Sequence, residues 1–400
     1  MVRRNGGFIG TDGLDAPDPP TGVTVSGGAD GVASISFTAP TDTGTSAITG
    51  FVATASTGVG ATGSSSPISV SSLTLGTAVT FRAYAINAYG TSAASDATDS
   101  ITPAAIRGLF AGGGSTSAID VIQYVAIATT GNSQDFGDLS EARQACAGFG
   151  SSTRTVFAGG YGESSRYDDE IEYVTTSTTG NVTDFGNLSA NRNRLPGFNS
   201  STRGVVSGGY THNGSSLVIS DIMEYVTIAN TGNATDFGNL SVARGNNAGF
   251  SSPTRGVTTG GQASSANSNV MDYITIASAG NATDFGDLTD ARRGLAGCSS
   301  GTRGVSGGGY ASRVDTIDYV TIASTGNATD FGNLSATKHN LASCSSSTRG
   351  LFGGGDTDSA YLNVIEYITI ANTGNTTDFG DLLANTGYLG AASNGNGGLA

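Results

Sequence analysis

Short stretches in which apolar and polar residues alternate recur along the whole chain, separated by clusters of Gly, Asn, Ser and Thr. A period near two predicts strands, and the clusters between them predict tight turns. The pattern also repeats at long range. Asp-Phe-Gly, then Asp or Asn, then Leu, occurs with its Asp at Asp135, Asp184, Asp236, Asp284, Asp330 and Asp378, spaced 46 to 52 residues apart. Each copy follows a strand bearing a Tyr: Tyr124, Tyr173, Tyr225, Tyr273, Tyr319 and Tyr367. One repeat reads as four strands. A small-residue strand such as Leu295 to Ser300 leads through Thr302-Arg303-Gly304 into a strand ending at Gly308-Gly309. Ile317 to Ile322 forms the third, and a Thr-Gly-Asn-Ala-Thr turn leads to the fourth, Asp330 to Leu334. Such units at a fixed period belong to repeat architectures.

The ends of the repeat array are unequal. The first copy starts at Ile106-Arg107-Gly108 with no leading strand, whereas Ala384 to Ser393 aligns with Ala291 to Ser300 and follows the last complete copy. The C-terminal strand is therefore expected to complete the first repeat and remove an open sheet edge. Residues 15–103 lack the repeat but carry alternating segments (Val23 to Val25, Ile35 to Ala39, Ile48 to Phe51, Phe81 to Tyr89) at the spacing of a β-sandwich.

Composition agrees with an all-β chain: 62 Gly among 400 residues, 12% charged residues and no Trp leave little room for long amphipathic helices. The net charge is −14 and the sole Lys is Lys338, so no basic stripe is present to neutralise nucleic-acid phosphates. Three Cys and two His do not make a zinc cage or a disulfide framework. Cys298 and Cys344 take the strand position held elsewhere by Phe149, Phe198 and Phe250, with Cys146 three residues earlier in its own repeat, and all three are expected to be free, buried thiols. No apolar run reaches 18 residues and Met1-Val2-Arg3-Arg4 precedes no apolar signal core, which predicts neither membrane insertion nor a signal peptide. The Asn-X-Thr sequons in the turns are then expected to stay unglycosylated.

The repeat resembles the kelch motif: a glycine pair, a variable loop, a Tyr in the next strand, an aromatic before a Leu, and a later Arg. Phe136, Phe185, Phe237, Phe285, Phe331 and Phe379 stand where that family has Trp. The resemblance implies a six-bladed β-propeller over residues 104–400, closed by the C-terminal strand. Residues 15–103 resemble a bacterial or phage fibronectin type III domain, with Phe37 in place of the usual Trp and Val79 in place of the corner Tyr. Residues 1–14 resemble the short Arg-rich starts of structural proteins of marine cyanophages, which also use similar Thr-Gly-Asn-Ala-Thr-Asp-Phe-Gly repeats. That likeness implies an anchoring arm with Arg3, Arg4, Phe8 and Ile9 as its contacts.

An antiparallel meander puts the nearly unchanged Thr-Arg-Gly and Thr-Gly-Asn-Ala-Thr turns on one face, where they are expected to be structural. The opposite face carries the loops after the glycine pairs, which differ in every copy. A rigid scaffold showing divergent loops rich in Tyr, Asp, Asn and Arg is a common way to build a binding surface. The candidate ligand contacts are Tyr161, Glu163, Arg166, Tyr167, Asp168, Tyr210, His212, Asn213, Tyr310, Arg313, Asp356, Asp358 and Tyr361, joined by Arg194, Asn246, Arg293 and His339 from the segments between repeats. Those segments also repeat Arg143, Arg192, Arg244 and Arg292, with Lys338 and Asn385 in the other copies, as expected internal struts reaching carboxylates or carbonyls of the next repeat. Asp-Phe-Gly has neither the oxygen ligands of a calcium loop nor the partners of a kinase site. No metal, cofactor or catalytic set is nominated.

These readings favour a non-enzymatic virion protein of a tailed phage, attached through its N-terminal arm and fibronectin-like domain to other virion proteins and adhering to host-surface glycan or protein. A purely structural decoration or cement protein is the alternative, and a bacterial carbohydrate-binding surface protein a second one.

Overall fold

The computed structural model describes residues 15–162, 167–212, 216–264, 266–311 and 314–395. Among them there is no helix; all regular structure is antiparallel sheet apart from one isolated parallel bridge, Ala29 to Ala104. The chain divides into two compact units between Ala105 and Ile106.

The first unit holds seven strands: β1 (Thr21–Gly27), β2 (Ala33–Thr38), β3 (Ile48–Ala55), β4 (Gly60–Gly63), β5 (Ile68–Val70), β6 (Phe81–Asn87) and β7 (Gly90–Thr91). They form a three-stranded sheet, β1-β2-β5, and a four-stranded sheet, β4-β3-β6-β7. Every second residue of β2 and β6 is buried, so the inward faces supply one core: Ile35, Phe37, Phe51, Val70, Val79 and Phe81 among others. Phe37 and Phe51 pack with ring centroids 4.9 Å apart.

The second unit contains six antiparallel sheets of one pattern, five with four strands and the second repeat's with a fifth short strand, Arg143–Gln144. The fifth repeat shows the pattern: Ala296–Ser299, Arg303–Gly307, Thr316–Thr321 and Thr329–Asn333 hydrogen-bonded in that order. In the first repeat, the strand at the leading position is Gly390–Ser393, paired with Arg107–Ala111 through Ala391 to Phe110 and Ala392 to Leu109. The chain's last strand thus belongs to its first repeat. The leading strands also touch one another in cyclic order, with Gly390–Ser393 against both Ala147–Gly150 and Ala342–Ser345.

Two sets of bonds run from repeat to repeat through all six junctions, and a third runs through five of them. The Gly of each Gly-Asn turn donates its N–H to the Phe carbonyl of the previous Asp-Phe-Gly: Gly180 to Phe136, Gly232 to Phe185, Gly280 to Phe237, Gly326 to Phe285, Gly374 to Phe331 and Gly131 to Phe379. The adjoining Asn accepts the N–H that follows that Gly, as Asn233 Oδ1 does from Asn187 at 3.1 Å and Asn132 Oδ1 from Asp381 at 3.0 Å. The invariant turn is therefore a latch between neighbours. The close approach explains the Gly of Asp-Phe-Gly: Gly186 has φ +142°, and a Cβ there would lie 2.5 Å from the Gly232 carbonyl.

The Arg at the Thr-Arg-Gly position of each repeat, preceded by Ile106 at Arg107 and followed by Thr155 at Arg154, makes the second set. It lies over the Tyr of its own repeat, with Cζ 4.2 to 4.6 Å from the ring centroid, and donates to a carbonyl of the following repeat, as Arg203 does to Ile276 and Arg349 to Ile127. Each of these Tyr rings meets the Phe of Asp-Phe-Gly edge-on, for example Tyr225 and Phe237 at 6.0 Å.

The third set consists of buried struts. Arg143 pairs with Glu172 and Asp168, Arg192 with Glu224, Arg244 with Asp272 (2.7 Å), Arg292 with Asp318 (3.0 Å) and Lys338 with Glu366. All five cations are buried. Apart from Asp168, each carboxylate immediately precedes the Tyr of its repeat. In the sixth junction the cation position is Thr386, whose N–H bonds to Leu362 as those of Arg244 and Arg292 bond to Ser220 and Ser268. Asn385, the residue expected there from the sequence, is exposed and off by one. The matching acid is also replaced, by Gln123, whose Oε1 accepts from Ser133 Oγ and the Leu383 N–H.

Candidate functional site

The residue two places after each strut begins a feature with no obvious sequence signal. Ala145, Arg194, Asn246, Asn340 and Tyr388 all adopt left-handed backbone, with φ from +53° to +58°, and Gly294 has φ +66°. Their peptide groups form a closed ring of hydrogen bonds: Arg194 N–H to Ala145 C=O, Asn246 to Arg194, Gly294 to Asn246, Asn340 to Gly294, Tyr388 to Asn340 and Ala145 to Tyr388, all between 2.6 and 2.9 Å. Five non-glycine residues are held in a conformation that costs on the order of 1 kcal/mol each. The ring's six bonds and the packing beneath it over-determine that backbone.

Directly below lies a collar at the next position: Cys146, Leu195, Asn247, Leu295, Leu341 and Leu389. Ring and collar together enclose a cavity of about 80 Å³. A second cavity of about 110 Å³ continues beyond the collar among the leading strands, lined by Gly148, Gly197, Gly249, Gly297, Ser343 and Ala391. Asn247 breaks an otherwise apolar collar. It is 7% exposed, and neither its Oδ1 nor its Nδ2 has a hydrogen-bond partner among the described residues.

Beside the ring, a cleft of about 200 Å³ is lined by Gln144, Ala145, Tyr161, Tyr167, Asn193, Arg194, Leu217 and Tyr388. It shares Ala145, Arg194 and Tyr388 with the cavity inside the ring. The cleft wall is aromatic. Tyr161 and Tyr167 face each other at 5.2 Å, and His212 from the next repeat stacks on Tyr167 at 4.6 Å with planes 13° apart. Arg194 lies 5.2 Å from the Tyr388 centroid and 5.8 Å from that of Tyr210, whose hydroxyl donates to Gln262 Oε1. Burial raises both phenols, Tyr210 and Tyr388, above their ordinary value while the arginine charges pull the other way.

Across the ring, Arg293 lies 5.1 Å from the Tyr310 ring, which tilts against His339. His339 Nε2 is 3.2 Å from Asp356 Oδ1 and 3.6 Å from Asp358 Oδ1. These three are the described residues whose arrangement comes nearest a cation site, although no metal was expected from the sequence. The Asp356 carboxylate is already engaged, accepting from the Asn340 side chain and from the Asp358 N–H.

The structure thus gathers Tyr161, Tyr167, His212, Arg194 and Tyr210 around one cleft, Asn246 on the ring at the mouth of the cavity, and Arg293, Tyr310, His339, Asp356 and Asp358 in a second group. Tyr361 sits against the position of Gly387, another interrepeat segment. Asp168, taken from the sequence as a displayed contact, is buried instead and bonds Arg143 as a second strut carboxylate. Glu163, Arg166, Asn213 and Arg313, like Arg3, Arg4, Phe8 and Ile9, lie outside the described residues. Sequence reasoning missed Tyr388 and the role of Asn247 in the collar. Asn247 stands out in the sequence as a residue of the interrepeat segments that differs between copies, but its place in a collar where four of the six positions are Leu emerges only from the structure.

The three cysteines are free and buried. Burial drives the Cys298 thiol up to about 12 and raises Cys146 and Cys344 as well.

The chain matches no protein-family model and no functionally curated protein, so the reading of its function rests on the geometry above.

Proposed function

We propose that the second unit is a six-bladed kelch-like propeller, the first a fibronectin type III-like sandwich, and the whole a non-enzymatic virion protein of a tailed phage whose variable face adheres to the host surface. The cyclic latches and the placement of Gly390–Ser393 in the first repeat's sheet support the propeller. The strand sets β1-β2-β5 and β4-β3-β6-β7 support the sandwich. The phage assignment rests on the resemblance of the repeats and the Arg-rich start to cyanophage structural proteins, and with it go attachment to other virion proteins and residence in the particle.

One observation carries the adhesive reading. The invariant residues are consumed by bonds between repeats, whereas the variable ones bring Tyr161, Tyr167, Arg194 and Tyr388 together around a cleft. Aromatic faces with nearby amides and guanidinium suit sugar rings and their hydroxyls. Weak single sites are sufficient where many copies act together. The test is binding of the purified, multimerised protein to host cells and extracted envelope polysaccharide, and failure to bind either removes adhesion.

A second reading, cement between virion subunits, is favoured by a different observation: Leu217, which lines the cleft, and Val218 and Ile222, close to it in sequence, expose 48%, 43% and 37% of their surface. A particle map separates the two. Loops facing solvent agree with adhesion, and loops buried on a neighbouring subunit agree with cement.

A further inference from the structure

We infer that the ring cavity and the adjoining cleft form one site for the acidic end of a glycan, with a carboxylate-bearing sugar held by Arg194 and Asn247. The inference rests on the adhesive reading and specifies its ligand.

Three observations carry it. The first is charge. In a chain of net charge −14, the buried arginines between repeats have carboxylate partners, yet Arg194 and Arg293 have none within ion-pair distance among the described residues. Arg194 is set against Tyr210 and Tyr388 instead, and it lines both the cavity and the cleft. A planar fork of donors held in place and left without an anion is suited to a carboxylate.

The second is Asn247. A buried amide with no partner is destabilising by roughly 1–3 kcal/mol. Four of its five counterparts are Leu, so the collar itself has no need of a polar group. An amide facing a cavity offers a donor and an acceptor to hydroxyl groups entering from the mouth.

The third is size. The two cavities and the cleft are each well below the roughly 300–1,000 Å³ of a site that engulfs a whole ligand. They fit the terminal residue of a chain, with the Tyr161 and Tyr167 pair beside the next ring.

The test is an array of uronate- and sialate-terminated oligosaccharides with their neutral counterparts, probed with the full chain and followed by calorimetry on the best ligand. Acidic termini are expected to bind at least tenfold better than neutral ones, with affinity falling as salt rises. Arg194→Gln is expected to lose at least tenfold. Asn247→Leu should lose several-fold while melting at the same or a higher temperature, because it restores the collar; this variant separates loss of binding from loss of fold. Equal binding of acidic and neutral termini, or preference for a polyglutamate peptide, would overturn the site. So would affinity unchanged in both variants; if such variants still held intact host polysaccharide, adhesion would stand without this site. No binding of any glycan by multimerised protein sinks the site; binding to host cells all the same would leave adhesion standing, and binding to neither removes both.

Discussion

At the scale of single residues, the sixth strut provides an internal control for the other five. Where the chain gives up the cation it also gives up the acid: Thr386 and Gln123 replace an Arg or Lys and a Glu or Asp. Physical chemistry demands the pairing of these changes, since removing one member of a buried ion pair leaves an uncompensated charge and costs about 3–5 kcal/mol, whereas replacing both can be neutral. Arg192→Thr should therefore lower the melting temperature sharply, and Arg192→Thr with Glu224→Gln should recover most of the loss. A double variant no better than the single one would show that the struts act independently of charge pairing. The same logic gives a pH dependence. Burial pushes the Glu366 carboxyl up, but Lys338 and hydrogen bonds from Thr376 and the Ser335 N–H outweigh it and hold the group below its ordinary value. A lowered carboxyl stabilises the fold above its unfolded pKa, near 4.3, and that contribution disappears as the pH falls through the folded value. The stability difference between wild type and Lys338→Thr with Glu366→Gln should accordingly shrink below about pH 4, as read from denaturation at a series of pH values. The thiols make a third residue-scale case. With Cys298 raised to about 12 and its two companions raised by burial, Ellman's reagent should find no thiol at pH 8 in the native protein and three in guanidinium.

At the scale of the strand, the leading strands interlock by size. Phe149, Phe198 and Phe250 press on Gly204, Gly256 and Gly304 of the next repeat, and Cys298 and Cys344 press on Gly350 and Gly108. The sixth junction has a small residue, Ala392, and there the Gly position is filled by Thr155. A Cβ on Gly304 would lie 2.0 Å from the Phe250 ring. Gly304→Ala should thus destabilise by overpacking and Phe250→Ala by a cavity, at about 3–5 kcal/mol for the latter. The double variant should be milder than the sum of the two, and strict additivity in a double-mutant cycle would refute the interlock. This scale also shows where sequence reading stops. Strand type, repeat period and the spare last strand were legible because each repeats a local pattern of apolar and turn residues. The registers between repeats were less so. Thr386 rather than Asn385 fills the strut position because a backbone bond to Leu362 fixes it, and an alignment of neighbouring residues does not contain that bond. The left-handed ring escaped for a related reason. Local rules expect Gly or Asn at positive φ, but Ala145, Arg194 and Tyr388 are placed there by neighbours about 50 residues away or farther. Asp168 looked like a loop carboxylate because its partner, Arg143, belongs to the segment before its repeat.

At the scale of the whole second unit, each of three hydrogen-bonded or cation–π circuits crosses the same junction where the first repeat meets the last. Gly131 bonds to Phe379, Arg349 to Ile127, and Tyr388 to Asn340. The terminal segment also supplies Gly390–Ser393, which pairs with Arg107–Ala111 inside the first repeat's sheet, and just ahead of it the Leu383 N–H bonds Gln123 across the junction. Removing residues 384–400 deletes Tyr388, Leu389 and the strand together. It opens the ring at the mouth of the cavity, takes one side from the collar and leaves the edge of Arg107–Ala111 unpaired. An unpaired, buried edge of Leu109, Phe110 and Ala111 is a template for association with another chain. The truncated protein is expected to melt well below the full chain and to aggregate at concentrations where the full chain stays monodisperse by light scattering. Ligand binding should fail with it, since Tyr388 and the ring that positions Arg194 are gone. A truncated chain with an unchanged melting curve and unchanged affinity would mean that neither closure of the repeats nor the ring matters to the site. In that case the six junctions would be acting as a chain of independent neighbours, with stability set by nearest contacts alone.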